Sequence, residues 1–168
     1  MINRCSGLNS AFSSELNSAL KKAGLVLSII LLAGCAAEEE GFPLLGGGKA
    51  DVLGDDRVIF LNYWAVWCGP CIAEMPELAE FSDEFEDRAV VYAINFDGVD
   101  EEQLQSDVDT LDVNIPSIIF DPQVELGYSR PEVLPTTLVY KGGVLRETHA
   151  GPQTMESMQA LLEKWEDA

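Results

Sequence analysis

Residues 57–64, Arg57-Val58-Ile59-Phe60-Leu61-Asn62-Tyr63-Trp64, are apolar or β-branched at almost every position. A run of that kind suits a strand buried on both faces in the middle of a parallel sheet. Residues 89–96 repeat the pattern. Between the two, residues 72–85 change to helical spacing, with Met75, Leu78 and Phe85 on one apolar stripe. Pro76 interrupts that helix and is expected to kink it, because it lacks an N–H and its ring crowds the preceding turn. Leu104, Val108 and Leu111 recur at i, i+4 and i+7, which predicts a surface helix over 100–111 with an acidic outer face. A short strand is expected at 116–120, ended by Asp121-Pro122. Residues 137–140 and 144–148 flank Lys141-Gly142-Gly143 and predict a hairpin. A last helix starts near Met155, with Met158, Leu161, Leu162 and Trp165 as its buried stripe and Thr154 as N-cap. This order predicts an α/β protein, a three-layer α/β/α sandwich with a mixed central sheet, over residues 50–168.

Upstream the pattern changes. Lys21 and Lys22 precede a short apolar run at 23–32. A bilayer span takes about 20 apolar residues, so the run fits the apolar part of a secretory signal better. Leu32-Ala33-Gly34-Cys35 follows and resembles the lipobox of bacterial lipoproteins. That resemblance implies a signal peptide over 1–34 and a lipidated Cys35 as the mature N-terminus. Ala36 rather than Asp after that cysteine implies the periplasmic face of the outer membrane in preference to the inner membrane. The stretch AAEEEGFPLLGGGK reads as a flexible spacer, so 35–49 is expected to be a lipidated cysteine followed by a tether.

Composition narrows the function. The 168 residues suit one domain and a short extra segment, and 47% hydrophobic residues suffice for a core. Ten basic against 29 acidic residues give a net charge of −19. Such a surface repels phosphate, which argues against nucleic-acid binding. Of the four cysteines, Cys5 and Cys35 fall in or beside the leader, leaving Cys68 and Cys71 for the domain. A structural zinc site wants four Cys or His ligands. His149, the single histidine, is far away in sequence and is expected to be an exposed strand-end residue. A disulfide across two intervening residues removes little entropy from the unfolded chain, so it is a poor staple. Redox chemistry remains, with no metal and no cofactor required. The pair lies where a buried strand enters a helix, and Pro70 suits a first helical turn. Free N–H groups and the positive dipole end there favour a thiolate, the attacking species in disulfide exchange. Cys68 is therefore expected to attack and Cys71, one turn deeper, to resolve.

Two motifs carry a wider resemblance. NYWAVWCGPCIAEMPEL at 62–78 and LPTTLVY at 134–140 are similar to the active-site segment and the proline loop of the TlpA/ResA-like thioredoxin family. The two motifs stand further apart than in plain thioredoxins, as an extra strand–helix unit at about 97–120 would require. The resemblance implies a thioredoxin fold and a thiol–disulfide oxidoreductase, mainly a reductant of protein disulfides such as apocytochrome c or other envelope proteins. It also implies a membrane electron donor and a monomer. It makes Cys68–Cys71 the redox disulfide and Pro135 a cis-proline facing it, flanked by Leu134 and Thr136. Trp67, Gly69 and Pro70 complete the substrate-facing rim, while Trp64 belongs to the core. Glu74 matches an acid that exchanges protons with Cys71; the plainer reading is a solvent-facing helix carboxylate. Asn62 stands where thioredoxin has a buried Asp, so that proton relay is absent or moved to Glu74. The segment before the first strand is shorter and richer in glycine than the family's N-terminal hairpin, which the sequence leaves unsupported. Residues 127–133, beside the active site, are expected to shape partner choice. Rival readings are an oxidant or isomerase on the same fold, a metal-delivery module using Cys68, Cys71 and a carboxylate, and a structural lipoprotein.

Overall fold

A computed structural model describes residues 40–168. The signal segment, Cys5, Cys35 and the start of the tether lie outside the described residues. The strands are β1 (Phe42–Pro43), β2 (Lys49–Ala50), β3 (Val58–Trp64), β4 (Ala89–Asn95), β5 (Ser117–Ile118), β6 (Thr136–Lys141) and β7 (Val144–Ala150). The helices are α1 (Gly69–Glu84), α2 (Glu101–Leu111), α3 (Gln123–Leu126) and α4 (Met155–Trp165).

The main sheet has the order β5-β4-β3-β6-β7, with β5, β4 and β3 parallel and β6 and β7 antiparallel. Central β3 and β4 are buried at every position, which explains their unbroken apolar runs. Alternation assigns β3 to two cores. Val58, Phe60 and Trp64 join α1, α2 and α4 on one face. Ile59, Leu61 and Tyr63 join Phe42, Ala50, Ile118 and Tyr140 on the other. Phe60 meets Phe81 of α1 edge to face at 5.4 Å, and Leu78 is fully buried beside them. Pro76 stands inside α1, yet the helix continues past it to Glu84. Thr154 caps α4 in a reciprocal pair with Ser157.

Residues 42–49 differ from the expected tether. Phe42 pairs with Ala50 and Pro43 with Lys49 in an antiparallel ribbon. The ribbon is sewn to β5 by Leu45 N–H to Ser117 O at 2.9 Å and Ile119 N–H to Pro43 O at 3.0 Å. The glycines that suggested flexibility form its turn, where Gly46, Gly47 and Gly48 have φ of +82°, +107° and +84°. At Gly41 a Cβ would fall 2.7 Å from Ala50 O, so only glycine lets the strands close. The N-terminal hairpin is thus present. Ribbon and α3 form the thin outer layer on the face away from α1. The strand expected at 116–120 shortens to Ser117–Ile118, and α3 had no counterpart in the sequence reading. Among the described residues no helix is long and apolar enough to cross a membrane.

Candidate active site at the strand ends

Parallel β3 and β4 end level, Trp64 opposite Asn95, and antiparallel β6 begins at the same edge, Thr136 opposite Tyr63. The connections 65–68, 96–100 and 127–135 therefore meet outside the carboxyl ends of the central strands. Cys68 is the N-cap of α1. Its Sγ accepts a hydrogen bond from Cys71 N–H at 3.3 Å and is disulfide-bonded to Cys71, with the Cα atoms 5.3 Å apart. Cys68 keeps 5% exposure while Cys71 has none, and Gly69 and Pro70 lie open beside them. An incoming sulfur therefore reaches Cys68 first. In the dithiol state the same N–H groups and helix dipole favour charge on that sulfur.

Glu74 follows Cys71 by three residues, on the same face of α1 one turn deeper. It is buried, with 3% exposure, so the solvent-facing alternative is ruled out. Oε1 accepts from Asn62 Nδ2 at 2.8 Å, and Oε2 accepts from the Gln153 backbone N–H at 2.6 Å. Asn62 reaches it because period-2 alternation turns that residue, between Phe60 and Trp64, toward α1. Asn62 Nδ2 also donates to Thr137 Oγ1 at 3.1 Å, while Asn62 Oδ1 is buried without a partner. Burial pushes the Glu74 carboxyl above the usual carboxylate range, the two hydrogen bonds pull it partly back, and the Glu77 charge adds to the rise.

The Leu134–Pro135 peptide is cis, as expected from the proline loop. Pro135 O accepts from Gly151 N–H at 2.8 Å, and Thr136 Oγ1 donates to Val133 O at 2.8 Å. Leu134 enters none of the backbone hydrogen bonds among the described residues. Trp67 is 63% exposed, and its indole N–H donates to Asp97 at 2.9 Å. Its ring meets Phe96 edge to face at 6.3 Å, and the Arg130 guanidinium lies 4.0 Å over Phe96. Trp64 is buried, as expected. His149 is only half-buried, in β7, and its Nε2 lies 3.0 Å from Glu147. Among the described residues no three His, Cys, Asp or Glu side chains are grouped to hold a metal ion.

Sequence reasoning missed the anchor of the 121–133 segment. The Tyr63 hydroxyl donates to Asp121 Oδ1 and lies 2.8 Å from the Tyr128 hydroxyl, while Arg130 Nε lies 3.2 Å from Asp121 Oδ2. Burial raises the Tyr63 and Tyr128 hydroxyls far above the usual tyrosine range, so both stay neutral. The available signal was a polar-tipped Tyr63 in a strand buried at every position, whose hydroxyl must find a partner.

The "Thioredoxin-like protein YneN" of Bacillus subtilis (strain 168) is 30% identical over 109 residues, 64% of this chain and 64% of the relative. The "Thiol-disulfide oxidoreductase ResA" of Bacillus anthracis is 32% identical over 108 residues, 63% of this chain and 62% of the relative. The chain thus spans just under two thirds of each. The structure of the exposed lipoprotein thioredoxin Etrx1 of Streptococcus pneumoniae strain TIGR4 superposes with a TM-score of 0.63 at 23% identity, over 74% of this chain and 98% of that one. This likeness establishes the thioredoxin fold. The family model described as "AhpC/TSA family" matches residues 49–140, a stretch that holds the cysteine pair, Glu74 and Pro135. More than half of the sequence lies within that match, and the chain belongs to the AhpC/TSA family of thioredoxin-like proteins.

Proposed function

We propose that the protein is a thiol–disulfide oxidoreductase that reduces disulfides in other proteins. The Cys68 thiolate attacks one sulfur of a substrate disulfide, breaks that bond and forms a mixed disulfide. The departing substrate sulfur takes up a proton. Cys71, deprotonated by a nearby base, then attacks Cys68 Sγ, releases the second substrate thiol and leaves the Cys68–Cys71 disulfide. Two electrons have passed to the substrate, and a dithiol donor at the membrane returns them. Glu74 is the base assigned to Cys71, since a buried carboxyl with a raised pKa is a stronger base than an exposed one. Leu134, with its backbone unengaged beside cis-Pro135, offers an extended substrate a place to pair next to the sulfurs. The observation that carries this reading is Cys68 as N-cap of α1, its sulfur on the Cys71 N–H, with Cys71 sealed behind it.

Attachment through a lipidated Cys35, at the periplasmic face and preferably of the outer membrane, completes the proposal. It is supported by the basic pair, apolar run and lipobox-like sequence at 21–35. Two acyl chains suffice for stable anchoring. The protein acts as a monomer. Radiolabelled palmitate incorporated into the wild type and absent from Cys35→Ala checks the anchor.

Insulin reduction with a dithiol donor, together with the reduction potential, tests the activity. Turnover that disappears in Cys68→Ser and a potential near −270 mV are expected. A potential near −120 mV would make the protein an oxidant instead. Full activity in Cys68→Ser would remove the mechanism.

A further inference from the structure

The connections that meet at the active-site edge are unequal in charge. Segments 65–68, 96–100, 127–135 and 151–154 carry three carboxylates, Asp97, Asp100 and Glu132, against a single cation, Arg130. That cation is already engaged, over the Phe96 ring at 4.0 Å and 3.2 Å from Asp121. Arg57 and Arg88 precede β3 and β4, and Lys141 and Arg146 flank the β6–β7 turn, so all four lie at the opposite edge. Lys49 belongs to the side ribbon, and Lys164 of α4 pairs with Glu147 at 2.6 Å. The imbalance therefore falls where the reactive sulfur is.

Apolar surface lies open at the same place. Val66 is 40% exposed, Trp67 63% and Val133 55%. Trp67 is also fixed in place. Asp97 holds its indole N–H while Phe96 meets its edge, so the exposed ring is a preformed contact surface that costs little ordering on binding. Among the described residues Asp97 is in no ion pair, and it brings a carboxylate to the rim of that surface.

We propose that this rim selects substrate polypeptides whose disulfide lies in a cationic segment with an apolar or aromatic residue next to the cysteine. The inference rests on the reductase reading and names its substrate class. The apolar side chain would lie on Trp67 and Val133. Lysine or arginine on either side would approach Asp97 and Glu132. An acidic segment would be repelled, and it would also disfavour the thiolate that must form at Cys68.

The test uses the pre-reduced wild-type protein and three disulfide-bonded peptides, identical except for Lys, Gln or Glu flanking the cysteine. Single-turnover release of peptide thiol gives second-order rates. The Lys peptide should react fastest and the Glu peptide slowest, about tenfold apart at low salt, at the lower end of electrostatic steering effects. Added salt should shrink the ratio. The double substitution Asp97→Asn, Glu132→Gln should also shrink it. Equal rates for the three peptides would overturn the proposal and leave the reductase reading intact. A ratio that survives the double substitution would assign the preference to overall charge and overturn the placement at this rim. Failure to reduce any of the three would remove both readings.

Discussion

Glu74 offers the sharpest test of the site's construction. In Glu74→Ala the Gln153 N–H loses its acceptor at 2.6 Å and Asn62 Nδ2 loses one of its two. A buried donor left without a partner costs about 1–3 kcal/mol. The vacated volume, in a position only 3% exposed, adds to that, so a total loss of about 2–4 kcal/mol is expected. Glu74→Gln should cost about 1 kcal/mol or less, because the amide oxygen still serves Gln153 N–H. Its NH2 can donate to Asn62 Oδ1, now without a partner, once the Asn62 amide turns over. The two variants should also differ from wild type in pH dependence. Burial raises the Glu74 carboxyl, so between its unfolded and folded values the folded protein holds the extra proton. Its contribution to stability is full below the unfolded value and is lost as pH rises through the folded one. One proton corresponds to a slope of at most about 1.4 kcal/mol per pH unit. Urea denaturation of the oxidised protein from pH 4 upward measures both effects. Wild type should lose this increment with rising pH and Glu74→Gln should not. An alanine variant as stable as wild type, or a glutamine variant as damaged as alanine, would refute the reasoning.

Other positions give independent checks. Asn62→Asp places a second carboxylate against Glu74 Oε1, where the amide donated at 2.8 Å; stability should fall by roughly 2 kcal/mol or more at pH 8 and by less at pH 5, because one proton must be shared. Leu78→Ala empties a fully buried position in the helix that carries both cysteines and should cost about 2–5 kcal/mol by urea denaturation. Gly143→Ala forces a side chain onto a residue with φ of +70° and a Cβ 2.8 Å from Leu53 O, so a loss of about 1–3 kcal/mol is expected. Thr154→Ala removes the capping box of α4 and should cost about 1 kcal/mol in thermal or urea melts, with little effect on the reduction potential.

Legibility followed the period of the pattern. Strands β3 and β4 are buried on both faces, and their unbroken apolar runs were readable to within a residue. The helices α1, α2 and α4 announced themselves by stripes, although only Leu104 of the α2 stripe is buried. The ribbon escaped because each strand has two residues and its apolar positions are interleaved with glycines, a composition shared by spacers and tight turns. Only the tertiary partner, the β5 backbone, distinguishes them. Helix α3 is too short to show a period. The burial of Glu74 could not be read from composition, since a helix glutamate is usually exposed. It follows from the pairing of Asn62 with Thr137 in register and from the return of residue 153 over α1, both long-range facts. Arg130 and Asp121 are in the same position: their meeting depends on where the 119–135 connection lies, and no local pattern encodes it.

One chain of contacts joins the buried Glu74 to the loop that carries cis-Pro135. Glu74 accepts the Gln153 N–H, and three residues along α1 Glu77 accepts the Met155 N–H at 2.7 Å. Successive carboxylates of the cysteine-bearing helix thus fix the entrance of α4. Two residues before Gln153, the Gly151 N–H holds Pro135 O at 2.8 Å. The loop 151–153 is therefore pinned at one end to cis-Pro135 and at the other to the buried Glu74, one turn beyond Cys71. A side chain that deleted the Glu74 acceptor would free Gln153 and, through it, loosen the support of Pro135. Under the proposed mechanism, losses of proton transfer and of substrate positioning would then arrive together. The glutamine variant separates them, because it keeps the Gln153 hydrogen bond and gives up only the exchangeable proton. In that variant a fall in kcat with an unchanged KM locates the role of Glu74 in chemistry; wild-type kcat and KM there, with KM raised in Glu74→Ala, locate it in holding the rim.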